Sequence, residues 1–131
     1  MKKSMSKILI IEDEVDLAKI LHKRLEDKGF EVVCAPDAHS GVDLAHKERP
    51  DLIILDIMLP LGGGVTVLRN LRISTHTMSI PVLVLTGMQD EELKKNILEM
   101  GVAFYMQKPY EIEELTKEIN RILTERGGKS A

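Results

Sequence analysis

The run Leu52-Ile53-Ile54-Leu55 carries no polar alternation. A strand with one face in water alternates apolar and polar residues, so a strand apolar on both faces must be covered on both sides. Strands of that kind lie in the middle of parallel sheets sandwiched between helices. This run therefore confines the chain to an α/β architecture.

The flanking sequence supplies the other strands and the helices that cover them. Lys7–Ile11 is a second apolar, β-branched run, followed by a helical pattern over Glu14–Lys28 with Leu17, Leu21 and Leu25 on one face and Gly29 as its stop. Glu31–Ala35 reads as a strand. Ala38–Arg49 reads as a helix with Ala38, Val42 and Ala45 inward, stopped by Pro50. After Leu55, Pro60 and Gly62-Gly63-Gly64 mark a flexible loop, then a helix runs from Val65 to about Ile73 and a polar linker over Ser74–Ser79. A strand at Pro81–Leu85 precedes a helix over Asp90–Met100, with Leu93 and Ile97 on one face and Gly101 as its stop. The strand Val102–Met106 leads to a last helix, Glu111–Arg126, in which Ile112, Leu115, Ile119 and Ile122 form an apolar stripe. Five strand–helix units in succession predict right-handed crossovers. They predict a flavodoxin-like, doubly wound five-stranded parallel sheet of order 2-1-3-4-5 with five helices. The 131 residues suit one domain, with a core of about 6–125 and a flexible tail over 127–131.

Composition narrows the function classes. With 44% hydrophobic and 30% charged residues, the chain is neither disordered nor fibrous. Its 18 basic and 21 acidic residues form no basic stripe, so direct nucleic-acid binding is not expected. No apolar run is long enough to span a bilayer, and the basic start Met1–Lys7 leads into too short an apolar stretch for a signal peptide. A cytoplasmic location without a membrane partner is expected. The single Cys34 has no intramolecular disulfide partner. His22, His39, His46 and His76 are scattered and Cys34 stands alone, so neither a zinc-type site nor a Cys/His or Ser/His/Asp catalytic set is expected.

In sheets of the predicted type, ligands bind beyond the carboxyl ends of the strands, near the point where strand order reverses. The first strand ends in Glu12-Asp13-Glu14, the third in Asp56, the fourth in Thr86-Gly87, and Lys108-Pro109 follows the fifth. Taken singly, an acidic pair after a strand favours the positive end of a helix, and the others are ordinary turns. Together they place at least three carboxyl groups at one sheet edge. Two carboxylates about 4 Å apart repel by roughly 4 kcal/mol at an effective dielectric of 20, so the group must be paired, protonated or bound to a cation. Lys108 can neutralise one charge; a hard divalent cation such as Mg²⁺, with Mn²⁺ as a substitute, suits the rest. A carboxylate, a hydroxyl, an ammonium and a cation with open positions can hold a phosphoryl group, and a carboxylate can accept one as an aspartyl phosphate.

Four stretches carry a family resemblance. They are Ile8–Glu14, Asp51–Pro60, Pro81–Gly87 and Tyr105–Tyr110, in that order, within a match running from about Ser6 to Glu125. The chain resembles the receiver domains of two-component response regulators. The resemblance implies that Asp56 accepts the phosphoryl group and that Asp13, Asp56 and the Met58 carbonyl hold Mg²⁺, with Glu12 acting directly or through water. It implies that Lys108 pairs with Asp56 and then with the phosphoryl group, that the Met58 and Gly87 backbones approach that group, and that Thr86 and Tyr105 form the switch. It further implies a cis Lys108–Pro109 peptide and a sensor histidine kinase or phosphotransfer protein as donor. The output partner is not named by the sequence. The protein would be a switch rather than an enzyme acting on a separate substrate, and a monomer or weak dimer.

This chain departs from the common family pattern in three places: Glu12 replaces the more frequent Asp, glycines fill the loop after Pro60, and Ala103-Phe104 replaces an acidic pair before Tyr105. The last change would make the output edge more apolar. Met58 and Met88 stand two residues after Asp56 and Thr86; neither can orient water, so slow phosphoryl loss is expected. A flavin-binding flavodoxin is disfavoured because Glu12-Asp13-Glu14 would repel a cofactor phosphate. A haloacid-dehalogenase-like phosphatase would need a second acid where Met58 stands, and a mere docking module would not need the intact set Asp13, Asp56, Thr86 and Lys108.

Overall fold

The computed structural model describes residues 5–125. In chain order these form β1 (Lys7–Ile11), α1 (Val15–Asp27), β2 (Glu31–Ala35), α2 (Ala38–Glu48), β3 (Leu52–Leu55) and a 3-10 turn at Pro60–Gly62. They continue with α3 (Gly63–Ile73), β4 (Val82–Thr86), α4 (Glu91–Glu99), β5 (Phe104–Gln107) and α5 (Ile112–Glu125). The strands form one parallel sheet, as the alternation of elements predicts, in the expected flavodoxin-like order β2-β1-β3-β4-β5. Element ends move by a residue or two from the expected positions: β4 extends to Thr86 and β5 begins at Phe104. The expected tail at 127–131, and Arg126, lie outside the described residues.

The two faces of β3 explain its unbroken apolar sequence. Leu52 and Ile54 join Ile8, Ile10, Leu83 and Leu85 in a layer covered by Leu21 and Leu25 of α1 and Leu115, Ile119 and Ile122 of α5. Ile53 and Leu55 join Leu9, Ile11, Val82 and Val84 in a second layer under Ala45 of α2, Val67, Leu68 and Leu71 of α3 and Ile97 of α4. Each fully buried aliphatic side chain contributes about 1.5–3 kcal/mol, so two apolar layers hold the sheet without a covalent staple. Gly29 and Gly101 end α1 and α4 at φ 98° and 81°, a region that favours glycine. Asp37 and Asp90 cap α2 and α4, their carboxylates accepting from the backbone N–H of Ser40 and Leu93.

Packing refines the expected helix faces and corrects the reading of the glycine loop. Of the residues at helical spacing in α1, Leu21 and Leu25 are buried together with Ala18, while Leu17 is 40% exposed. The buried stripe begins one residue later than spacing alone suggests, which puts Leu17 at its rim. The glycines after Pro60 are not a free loop, because Gly63 and Gly64 are buried in the first turn of α3. A Cβ on Gly64 would lie 2.3 Å from the Ile57 carbonyl oxygen, so glycine allows the helix to start directly against the backbone following Asp56. Ala103 and Phe104 are half-buried. Both pack against the α1–α5 layer, and the Arg121 guanidinium lies over the Phe104 ring at 5.7 Å from its centroid. No helix among the described residues is long and apolar enough to cross a membrane.

Candidate functional site

Strand register brings the predicted residues together. Ile11 of β1 pairs with Leu55 of β3, so Glu12 and Asp56 emerge side by side. Each is held by a further ladder bond: Glu12 N–H donates to the Ala35 carbonyl at 3.1 Å and Asp56 N–H to the Ile11 carbonyl at 3.1 Å. Lys108 is placed the same way, its N–H donating to the Thr86 carbonyl at 2.8 Å. The Lys108–Pro109 peptide is cis, as the family resemblance implied.

The ammonium of Lys108 sits between the two acids. Its Nζ donates to Asp56 Oδ2 at 3.1 Å and to Glu12 Oε1 at 2.9 Å. The other carboxylate oxygens take backbone donors: Met58 N–H reaches Asp56 Oδ1 at 2.9 Å and Glu14 N–H reaches Glu12 Oε2 at 3.2 Å. Glu12 and Asp56 are 7% and 6% exposed, so a lost partner would not be replaced freely by water. Burial raises the Glu12 pKa, with the Lys108 hydrogen bond opposing it. Burial works to lower the Lys108 pKa, but the hydrogen bonds to Glu12 and Asp56 outweigh it and leave the group raised. The lysine is therefore held charged. Its second partner, Glu12, was not legible in sequence, where a Lys108–Asp56 pair alone was expected.

Asp13 joins from the more open side. Glu12, Asp13 and Asp56 each offer a carboxylate oxygen within 4.8 Å of the others. One ammonium leaves three such groups under-compensated. At roughly 5 Å and an effective dielectric of 20, each ionised pair repels by about 3 kcal/mol. All-oxygen donors beside a partly open rim suit a hard divalent cation that keeps several waters, which is the preference of Mg²⁺.

The other predicted residues lie on β4, on β5 and in the segment after β4. Thr86 is fully buried, and its Oγ1 accepts from Met88 N–H at 3.2 Å. Gln107, not singled out by sequence, donates from Nε2 to the Met88 carbonyl at 3.5 Å, so the segment after β4 is held from two sides. Gly87 has open space where a side chain would stand. Tyr105 is half-buried beside β4, with the Lys94 ammonium 5.3 Å from its ring centroid. On the other rim, Met58 is exposed and Leu61 is fully exposed at φ 58°, ψ 35°, a left-handed conformation that a leucine adopts at a cost.

Residues 8–120 match the response regulator receiver domain family. The chain belongs to that family. The receiver domain is similar to the alkaline phosphatase synthesis transcriptional regulatory protein PhoP of Bacillus subtilis (strain 168), 38% identical over 118 residues. That match covers 89% of this chain and 48% of PhoP, so the chain spans about half the length of this curated relative. Among solved structures, the chemotaxis protein CheY4 of Vibrio cholerae aligns with a TM-score of 0.85 at 29% identity, covering 92% of this chain and 100% of that one. The BeF3-activated N-terminal receiver domain of Klebsiella pneumoniae RstA aligns with a TM-score of 0.81 at 29% identity, covering 89% of this chain and 97% of that one. Receiver domains of two-component response regulators are phosphorylation-dependent signalling switches. The receiver domain described here has the family's sheet order and, at the matching strand ends, its acidic cluster.

Sequence spacing alone had left the histidines scattered and Cys34 alone. In space, Cys34 Sγ lies 3.5 Å from His22 Nδ1, whose Nε2 is 3.2 Å from Glu26. His46 and His76, far apart in sequence, face each other across the base of α2 with ring centroids 6.3 Å apart.

Proposed function

We propose that Asp56 is the phosphoryl acceptor, charged by a sensor histidine kinase, a phosphotransfer protein or a small phosphodonor. The observation carrying this reading is the Lys108 ammonium, held in a buried pocket between Asp56 and Glu12. Its reach across the sheet leaves one Asp56 oxygen paired with a movable cation and the other with a backbone N–H. In the transfer, an Asp56 carboxylate oxygen forms a bond to phosphorus as the bond to the donor's nitrogen or oxygen breaks. Lys108 follows the developing charge onto a phosphoryl oxygen, and the open backbone at Gly87 leaves room for that group. Asp13, Asp56 and the Met58 carbonyl, with Glu12 directly or through water, would hold Mg²⁺ or Mn²⁺. The bound cation supplies charge compensation for the phosphoryl oxygens.

The phosphoryl group then competes for Thr86. Thr86 Oγ1 accepts from Met88 N–H, and its hydroxyl also carries a proton to donate. Its movement toward the phosphoryl oxygens would draw the segment Gly87–Asp90 with it, and Tyr105 would turn into the vacated space. The surface made by α4, β5 and α5 would change shape and meet an output partner. Coupling of about 1–3 kcal/mol suffices for such a switch. We further place the domain in the cytoplasm, where its free thiol fits a reducing compartment. Met58, exposed beside Asp56, supports slow phosphoryl loss because it offers no group to orient water.

The test is intact mass after incubation with acetyl phosphate and Mg²⁺, beside Asp56→Asn. The expected result is one added phosphate in the wild type and none in the variant. Equal labelling of both would move the acceptor elsewhere.

A further inference from the structure

The phosphorylation site uses only the carboxyl ends of the strands. At the opposite end, the last turn of α2 meets the segment after α3, and there the geometry around two histidines is specific. His46 Nδ1 lies 3.0 Å from the Val42 carbonyl oxygen, one turn earlier in α2. A carbonyl only accepts, so Nδ1 carries the hydrogen and Nε2 bears the lone pair. That lone pair faces Ser74, whose Oγ is 3.2 Å away and donates to it. Ser74 Oγ in turn accepts the backbone N–H of His76 at 3.3 Å. The hydroxyl thus stands between the two residues, and the exposed His76 ring is tilted 52° to that of His46.

A neutral imidazole with one N–H on a backbone carbonyl and a lone pair on the other nitrogen is the usual form of a metal ligand, because the carbonyl fixes both tautomer and ring direction; here the Ser74 hydroxyl holds that lone pair, and an ion would take its place. Metal–nitrogen bonds of about 2.1 Å would place two ring centroids roughly 5 to 6.4 Å apart as the angle at the ion opens from tetrahedral to linear. The observed 6.3 Å lies at the linear end of that span, about 1 Å wider than a tetrahedral ion needs, so the two exposed rings would turn toward each other on binding. The surroundings also favour positive charge, because α2 and α3 both end here and helix carboxyl ends carry partial negative charge. Of the basic residues in those last turns, Arg72 is engaged with the carbonyls of Met78, Ile80 and Gly101, and Lys47 stands beside His46.

We propose that His46 and His76 form a second cation site, separate from the acidic cluster and selective for late first-row divalent ions such as Zn²⁺ or Ni²⁺. Water would complete the shell, the ion displacing the Ser74 hydroxyl from His46 Nε2. Imidazole suits these ions, whereas Mg²⁺ prefers the carboxylates at the other end of the sheet. Bound metal would clamp α2 to the α3–β4 connection and stabilise the fold with the logarithm of its concentration above Kd.

The experiment uses the Cys34→Ser chain, which removes the thiol beside His22, with Mg²⁺ in excess to fill the acidic cluster. Ni²⁺ is titrated while the imidazole proton resonances of His22, His39, His46 and His76 are followed. Zn²⁺ affinity is measured separately by calorimetry. His46 and His76 should broaden first and together. Loss of an outer partner of a metal ligand weakens binding by about 10–100-fold, so His46→Ala or His76→Ala should weaken Zn²⁺ by at least that much. Both positions are exposed, and circular dichroism checks that the variants fold. Parallel broadening of all four histidines, or undiminished Zn²⁺ affinity in either variant, would overturn the proposal.

Discussion

Replacing Gly64 by alanine tests the way the α3 start is built against the acceptor strand. Two effects oppose each other. Alanine is favoured over glycine in a helix by about 1 kcal/mol at most, and less in the first turn. Against this, the new Cβ would meet the Ile57 carbonyl oxygen at 2.3 Å, its Cα at 2.5 Å and its carbonyl carbon at 2.6 Å. Contacts under 3.0 Å are essentially never adopted by real Cβ atoms. All three atoms are backbone, so no rotamer change relieves them. Ile57 is buried and follows Asp56 directly, so the strand end or the helix must retreat. Overpacking of this kind costs about 1–3 kcal/mol, more than the helical gain, and the net loss should be about 1–2 kcal/mol. For a domain of this size that is a fall in Tm of roughly 3–10 °C. The measurement is urea denaturation with an unchanged slope, so that a lower midpoint reports stability alone. Gly87→Ala is the matched control: nothing lies within 4 Å of its Cβ, and it should stay within about 0.5 kcal/mol of the wild type. A Gly64→Ala protein as stable as the wild type, or more stable, would refute the close-approach reasoning.

Removing the ammonium with Lys108→Ala leaves Glu12 and Asp56 buried together. In chelator the variant should lose about 3 kcal/mol of stability, and calorimetry should show tighter Mg²⁺ binding than in the wild type. Because the Lys108 pKa is raised in the fold, its contribution is complete at neutral pH and fades only as pH rises past the ordinary lysine range. Leu61→Gly relieves a left-handed leucine that packs on nothing, and it should gain about 0.5–1 kcal/mol in thermal or chemical denaturation; a loss would mean that Leu61 has a packing role. Burial, aided by Glu26, pushes the Cys34 thiol above its ordinary pKa, so iodoacetamide at neutral pH should label the native protein more slowly than the unfolded one. Equal rates would show an open, ordinary thiol.

The unbroken apolar run of β3 was enough to require a parallel sheet covered on both faces. The alternation of runs then supplied parallel strands with right-handed crossovers, and the identities of the residues ending each run marked one edge as acidic. These are local signals, carried by side-chain periods of two and 3.6 residues and by stop residues such as Gly29, and a sequence displays them directly. Other features were settled only when strands came into register and helices packed. They include the Glu12 partner of Lys108, the helical role of Gly63 and Gly64, the placing of Ala18 rather than Leu17 in the core, and the meeting of His46 with His76. Each depends on distance between residues remote in the chain or on which side of a helix a neighbour presses. Spacing along the sequence encodes the shape of an element; only packing determines what that element touches.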